Sequence, residues 1–524
     1  MQAKRHIKLL DSTLRDGAQG EGVSFSLQDK VNIARTLDDF GIDYIEAGNP
    51  GSNPKDMEFF QHVRGMKWRH ARLCAFGATR RGGLSVEADE SLQALLAAET
   101  PAVVIFGKAC LSHVENVLRV SAEENLAMIR ETVAFFKQHG REVLFDAEHF
   151  FDGFAEDPAY SQMALVTALE AGADSVTLCD TRGGSAPMEV RKVSEFIVEH
   201  HRNSVIGVHC HNDIGCAVAN SMVAVDTGVR LVQGTFLGCG ERCGNADLSI
   251  LIPNLILKKD CVCQVKRLET LTDVAMRLAE IMNVAIPSGK PYVGRSAFAH
   301  KGGMHIDGVS KMSESYEHVS PETIGNHRRF LLSEVAGRST ILEKMRHFAP
   351  QFTKDSPEVS LIVERLKELE FEGYQFEAAD ASLELLIRRV LGWHRPHFEL
   401  VLYRTTGEFP SLDEHGKCTA MIEIKVGDNV EVTAGLGNGP VHALDQALRR
   451  ALNVFYPALK EVQLTDFKVR VIDTESATAA RVRVLIESSD GTHVWTTIGV
   501  STDVIEASWK ALVDSIEYKL DVLC

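Results

Sequence analysis

Along the first half of the chain, short β-rich runs alternate with longer runs of helical periodicity. The β-rich runs lie at 7–10, 42–46, 72–76, 102–106, 142–146, 175–179, 205–209 and 230–234. Between them, apolar residues fall on single helix faces. Leu126, Ile129, Val133 and Phe136 form one such face, and other helices are predicted to begin near Leu27, Met163, Met188 and Ala217. Eight strand–helix units in about 250 residues predict a (β/α)8 TIM barrel, of α/β class, over 1–285. A doubly wound open sheet is the main alternative. It usually has fewer strands and often a glycine-rich first turn, and the first turn here, DSTLRDGAQ (11–19), lacks G-x-G-x-x-G.

Beyond residue 285 the alternation fails. Pro287, Gly289, Pro291 and Gly294 mark a linker; 296–345 mixes loops with short helices, and 355–392 is strongly helical. A mostly helical linker region is therefore expected over 286–394. From 395 to 524 the pattern is that of an α+β domain. A β-rich start at 398–403 is followed by a helix face of Val441, Leu444, Leu448, Ala451 and Phe455, and near the end Ile505, Trp509, Leu512 and Ile516 form another. Strand patterns at 430–437 and 494–499 precede these helices, a weak internal repeat of two β-rich, helix-terminated halves. The loop GLGNGP carries no lysine, which excludes a P-loop.

Composition narrows the partners. The 524 residues hold 56 Lys and Arg against 72 Asp and Glu, a net charge of −16. That argues against a nucleic acid or an anionic membrane as the main partner, since both need a basic face. An apolar fraction of 45% and a charged fraction of 24% are ordinary globular values. No run approaches the ~18 apolar residues of a bilayer span, and the N-terminus shows no signal peptide. Eleven cysteines at irregular spacing read as reduced thiols, and a cytoplasmic location is expected.

Polar residues gather at one end of the predicted strands: Asp11, Arg15 and Asp16 after the first, Glu46 and Asn49 at the second, Glu148 and His149 after the fifth. Asp180 and Thr181 follow the sixth, His209 and His211 end the seventh, and Glu241, Arg242 and Asn245 follow the eighth. Each alone could be a cap or a surface charge. Jointly they mark the C-terminal strand ends where barrels build their active sites. In His209-Cys210-His211 the strand alternation points both imidazoles one way and the thiol the other. Barrel closure brings Asp16, His209, His211 and Asn245 together. Two imidazoles and a carboxylate with open positions suit Mn, Zn, Co or Fe more naturally than Mg. A structural zinc site in which Cys239 and Cys243 or Cys261 and Cys263 pair with the histidines is a rival, with spacings unlike the usual pairs.

Several segments resemble the metal-dependent Claisen-condensing synthases, the family of 2-isopropylmalate, homocitrate and citramalate synthases. They are DSTLRDGAQ (11–19), EAGNP (46–50), GVHCHND (207–213) and GCGERCGNA (238–246), with FAHKGGMHIDG (298–308) and SYEHVSPETIGN (315–326) from its linker region. GLGNGPVHALDQALRRAL (435–452) resembles its amino-acid-sensing domain. The resemblance implies Asp16, His209 and His211 as ligands of a divalent metal (Mn, Zn, Co or Mg), with Asn245 beside it directly or through water. It implies Arg15 as clamp of a 2-oxo acid, Glu148 and Thr181 as residues that position it, and Glu148 as a rival base. His305 would be the base acting on acetyl-CoA, oriented by Asp307 with Tyr316 close by. A homodimer is implied, in which the linker crosses over to the partner's barrel and contributes to its active site.

DGAQ (16–19), Asn49 and the following GSNPKD (51–56) look more like the branch that uses pyruvate. That branch condenses acetyl-CoA with pyruvate and hydrolyses the product, opening a threonine-independent route to isoleucine. By the same analogy isoleucine is the expected effector of the regulatory domain, a purely dimerising domain being the alternative. Phe76 or Phe106 could fill the volume that a branched substrate needs. Two other outcomes are a 2-isopropylmalate synthase using 2-oxoisovalerate and a catalytically silent, amino-acid-sensing dimer.

Overall fold

In a computed structural model, which describes residues 4–330, 338–407, 418–472 and 480–523, the eight expected strands pair in parallel and in chain order. They are β1 (Lys8–Asp11), β2 (Tyr44–Glu46), β3 (Arg72–Ala78), β4 (Ala102–Lys108), β5 (Glu142–Glu148), β6 (Ser175–Asp180), β7 (Ile206–Cys210) and β8 (Leu231–Gly234). β8 pairs with β1, Leu9 opposite Val232 and Leu10 opposite Gln233, and the sheet closes into a barrel. Helices follow the strands. Leu27–Phe40 begins on a reciprocal Ser26–Asp29 capping box, ends on left-handed Gly41 and buries Ile33, Ala34 and Leu37. The helix expected from Met163 begins earlier, at Pro158. Asp157 accepts hydrogen bonds from the Ala159 and Tyr160 N–H groups, and Pro158 occupies the first turn.

The barrel interior is tiered. Leu10, Tyr44, Cys74, Val104, Leu144 and Leu231 form an apolar plug. Alternation then places Glu46, Asp146, His209 and Gln233 one step further along their strands, on the C-terminal side of that plug. Cys210 is buried in the main apolar core, away from its histidine neighbours.

The chain divides into two compact units: Met1–Phe298 with Val319–Arg328, and Ala299–His318 with Arg329–Cys524. In the second, β9 (Ala299–His300) pairs with β10 (Arg329–Phe330), and helices Arg338–Met345, Pro357–Phe371 and Asp380–Val390 share one apolar cluster. Two antiparallel three-stranded sheets follow: β11 (Glu399–Gly407), β12 (Cys418–Val426) and β13 (Asn429–Gly437), then β14 (Gln463–Val471), β15 (Val482–Ser489) and β16 (Val494–Ser501). Each carries one helix, Pro440–Leu452 or Val504–Val522. Phe455 lies beyond the first of these, which stops at Leu452, so the expected helix face is shorter by that residue.

The repeat is detailed. Register shifts sit at Leu400/Leu402 and at Leu464/Asp466. Thr433 Oγ1 donates to the Ala447 carbonyl at 2.8 Å, and Thr497 Oγ1 donates to the Ala511 carbonyl at 2.8 Å. A Cβ at Gly435 would meet Ala443 O at 2.4 Å, and one at Gly499 would meet Ala507 O at 2.0 Å, so in both halves a glycine admits the helix backbone. Among the described residues no helix is long and apolar enough to cross a membrane.

Candidate metal centre and reaction cavity

The turn after β1 is tied from within. Asp11 accepts from the Thr13 N–H and Oγ1, and the N–H groups of Asp16 and Gly17 both reach Ser12 O. The turn thereby swings Asp16 over the barrel mouth. After β8, Gly244 has φ 81°, and a Cβ there would meet Gly238 O at 1.9 Å. That glycine folds 238–246 back on itself and delivers Asn245 to an isolated bridge with His211.

Among the described residues, Asp16, His209 and His211 form one group able to hold a metal ion, and all three are buried. Asp16 Oδ2 lies 3.4 Å from His209 Nε2 and 3.9 Å from His211 Nε2, and the two Nε2 atoms are 3.4 Å apart. A triangle with these edges has its corners about 2.1 Å from a common centre, the bond length of a first-row divalent ion to N and O ligands. Asn245 Nδ2 donates to Asp16 Oδ2 and His209 Nε2, 3.1 Å from each. The residues fit the ion.

Gln233, which sequence reasoning missed, sets the state of His209. Its amide nitrogen donates to Asp146 Oδ1 at 2.8 Å and to Thr177 Oγ1 at 3.1 Å. Its oxygen therefore faces His209 Nδ1, at 2.8 Å. Nδ1 carries the proton, and Nε2 presents its lone pair to the site. A glutamine inside a strand reads as an outward polar position, so only the inward face of β8 reveals it.

Arg15 Nε donates to Glu46 Oε2 at 2.6 Å and Nη1 lies 3.2 Å from Asp16 Oδ2, with the guanidinium 3.9 Å over the Phe76 ring. Burial opposes charge on both Arg15 and Asp16. Their proximity overrules it, holding Asp16 well below the usual carboxylate range and Arg15 protonated. Burial, and His209 second, bring His211 down to about 4 against the opposing pull of the Asp16 carboxylate. Burial, followed by the neighbouring Glu46, raises Asp146 to about 6.

Arg15, Asp16, Phe76, Glu148, Thr181 and His209 are among the walls of a cavity of about 240 Å³. Glu148 is the last residue of β5 rather than beyond it, and pairs with Lys108 of β4 at 2.5 Å. Thr181 Oγ1 accepts from the His149 N–H at 2.8 Å. Phe76 and Phe106 stack at 5.1 Å and narrow the cavity.

Three expected site residues lie in the second unit. His305 is exposed on the helix Gly303–Lys311 and stacks on Tyr316 at 4.1 Å. Asp307 accepts from Lys311 at 2.6 Å and from Lys354 at 3.2 Å. The ring in contact with His305 is thus Tyr316, while Asp307 is engaged by lysines. The ten described cysteines are all free, with no disulfide among them.

A closed barrel with a carboxylate and two histidines at its C-terminal mouth defines the class, and residues 6–285 match the HMGL-like family. Residues 292–373 match the homocitrate synthase post-HMGL domain-like family, and 377–520 the LeuA allosteric (dimerisation) domain. The chain is 50% identical to the (R)-citramalate synthase of Aquifex aeolicus, with 98% of each chain covered. It is 46% identical to that of Geobacter sulfurreducens (98% of this chain, 97% of the relative), and 33% identical to a probable 2-isopropylmalate synthase of Methanopyrus kandleri (97% of each). The chain belongs to the (R)-citramalate synthase family, a family of acyltransferases.

Proposed function

We propose that this chain condenses acetyl-CoA with pyruvate and hydrolyses the product to (R)-citramalate and CoA, the first step of a threonine-independent isoleucine route. The observation that carries the reading is the reaction cavity: three convergent metal-binding atoms, a fixed Arg15 and a stacked Phe76–Phe106 wall within about 240 Å³. A divalent ion held by Asp16, His209 and His211 supplies Lewis acidity toward a carbonyl oxygen. Arg15, locked by Glu46 and Phe76, receives the carboxylate of pyruvate and stabilises the oxyanion that develops at its ketone. The Thr181 hydroxyl, which accepts from the His149 N–H, keeps its own proton to donate to substrate. Glu148, fixed by Lys108, closes the cavity on the side of β5. Phe76 and Phe106 line the cavity where a branched 2-oxo acid would carry its side chain, which favours pyruvate over 2-oxoisovalerate.

His305 removes a proton from the acetyl methyl group, with Tyr316 stacked on its ring and Asp307 on the same helix. The resulting carbanion attacks C2 of pyruvate, and water then cleaves the thioester, releasing CoA. The LeuA-type domain makes a homodimer whose linker brings His305 to the partner's barrel, and isoleucine is its effector. The test is free-thiol release from acetyl-CoA with a panel of 2-oxo acids, with and without a chelator. Release with pyruvate that the chelator abolishes is expected. No release with any acid would overturn the synthase reading, and a preference for 2-oxoisovalerate would move it to 2-isopropylmalate. His305→Ala is expected to abolish release while pyruvate still binds.

A further inference from the structure

Thr181, a wall of the reaction cavity, is gripped from two sides by residues in a costly backbone conformation. Among the described residues, eight other than glycine have positive φ, and two of them meet at Thr181. His149, at φ 58°, donates its N–H to Thr181 Oγ1 at 2.8 Å. Arg242, at φ 55°, donates from Nη2 to the Thr181 carbonyl at 2.8 Å. His149 follows β5, Arg242 follows β8 and Thr181 follows β6. Two separate loops thus enter the left-handed region to reach one residue on a third. Few residues with a side chain adopt that region freely, and such positions gather at functional sites.

Arg242 is itself aimed. Its Nε and Nη2 form a fork on the two carboxylate oxygens of Asp213, at 2.8 and 3.0 Å. Asp213 lies in the turn after β7, close against Gly183, where an added Cβ would come within 2.8 Å of the Asp213 nitrogen. The fork fixes the plane of the guanidinium, and that plane delivers Nη2 to the Thr181 carbonyl. The loops stay together without Arg242: the Asn212 N–H donates to Gly244 O at 2.8 Å and the Ile214 N–H to Gly183 O at 3.2 Å. An exposed ion pair also adds little to stability. Arg242 is exposed and is not a wall of the cavity, so what it adds is orientation, passed on through Thr181.

We propose that Arg242, braced by Asp213, is a positioning residue for binding of the 2-oxo acid. It holds the Thr181 peptide while the His149 N–H occupies the hydroxyl oxygen, so the hydroxyl proton is directed at the substrate. The inference rests on the place given to Thr181 above.

The experiment uses the full-length protein loaded with Mn²⁺. Pyruvate is titrated calorimetrically into wild type, Arg242→Gln, Arg242→Lys, Thr181→Val and the double variant of Arg242→Gln with Thr181→Val. In each, kcat and the KM of both substrates are measured. Arg242→Gln is expected to weaken pyruvate about tenfold in Kd and KM, with the KM of acetyl-CoA and the affinity for Mn²⁺ unchanged. Arg242→Lys keeps a point charge in place of the fork and should recover part of the loss. With Thr181→Val already present, Arg242→Gln should weaken pyruvate no further. Unchanged pyruvate affinity in Arg242→Gln, or no binding in any of the proteins, overturns the inference. So does an equal loss for both substrates or a fall in Mn²⁺ affinity, either of which makes Arg242 a support of the loops alone. Losses that multiply in the double variant overturn it as well. Thr181→Val with wild-type pyruvate affinity removes Thr181 from substrate binding, and this inference with it, while thiol release still judges the synthase. A wild type that releases no thiol breaks the reaction proposed above, and the pyruvate titration still decides Arg242.

Discussion

At the N-terminal mouth of the barrel Lys8, Tyr44, Arg72 and Glu142 meet; at the C-terminal mouth Arg15, Asp16, Glu46, His209, His211 and Asn245 do. The apolar plug around Leu10, Val104 and Leu144 separates them. At the first mouth the groups complete one another. Lys8 donates to Tyr44 Oη at 2.8 Å, Tyr44 donates to Glu142 at 2.7 Å, and Arg72 binds the other carboxylate oxygen of Glu142. At the second mouth Glu46 Oε1, His211 Nδ1 and Asn245 Oδ1 are buried without hydrogen-bond partners. Leaving such atoms unpaired costs about 1–3 kcal/mol each. A closed network serves the fold, and an incomplete one is poised for a ligand that completes it.

The sharpest way to break that contrast is Asp16→Asn. Metal affinity should fall by more than ~100-fold, with turnover following, while the metal-free protein keeps its fold; equilibrium dialysis and circular dichroism check the two halves. Gln233→Leu should weaken metal binding by roughly 10–100-fold by releasing the proton position of His209, and Gln233→Glu, which keeps an acceptor, by less. Chelator competition measures both, and equal affinity in all three proteins would separate Gln233 from the site.

A third prediction concerns pH. Burial, chiefly, raises Asp11 to about 7 and Asp146 to about 6 in the fold, against an ordinary 3.8. A carboxyl raised by folding stabilises below its unfolded pKa and loses that contribution as pH rises through its folded one. The thermal midpoint of the metal-free protein should therefore fall between about pH 4 and 7, and Asp11→Asn should flatten the fall. A midpoint rising with pH would contradict the assignment. The smallest effect belongs to the opposite mouth. Tyr44→Phe removes two hydrogen bonds and should cost about 1–2 kcal/mol in urea unfolding with kcat unchanged. An altered kcat would show that the two ends are coupled through the plug.

Much of this was legible before folding. The strand positions follow from apolar periodicity, and the cluster of polar residues at strand ends pointed to the mouth where Asp16, His209 and His211 converge. His209 and His211 share a face because alternation requires it. The missed residues have a common cause. Gln233, Asp146 and Lys108 lie within strands, where a polar side chain turns outward or inward according to barrel register. Glu148 looked like a loop residue because β5 runs further than its apolar run. Asp307 and Tyr316 were assigned by motif, and side-chain packing gave the ring contact to Tyr316 and the lysines to Asp307.

The amino-acid sequence alone determined the order of elements, the barrel, the repeat of two sheet-and-helix halves and a candidate metal group of Asp16, His209 and His211, because these rest on local periodicity and residue chemistry. Tertiary structure decided which nitrogen of His209 faces the site and what holds Arg15. Those depend on the register of neighbouring strands, β7 against β8 and β1 against β2, which brings residues distant along the chain within hydrogen-bond reach.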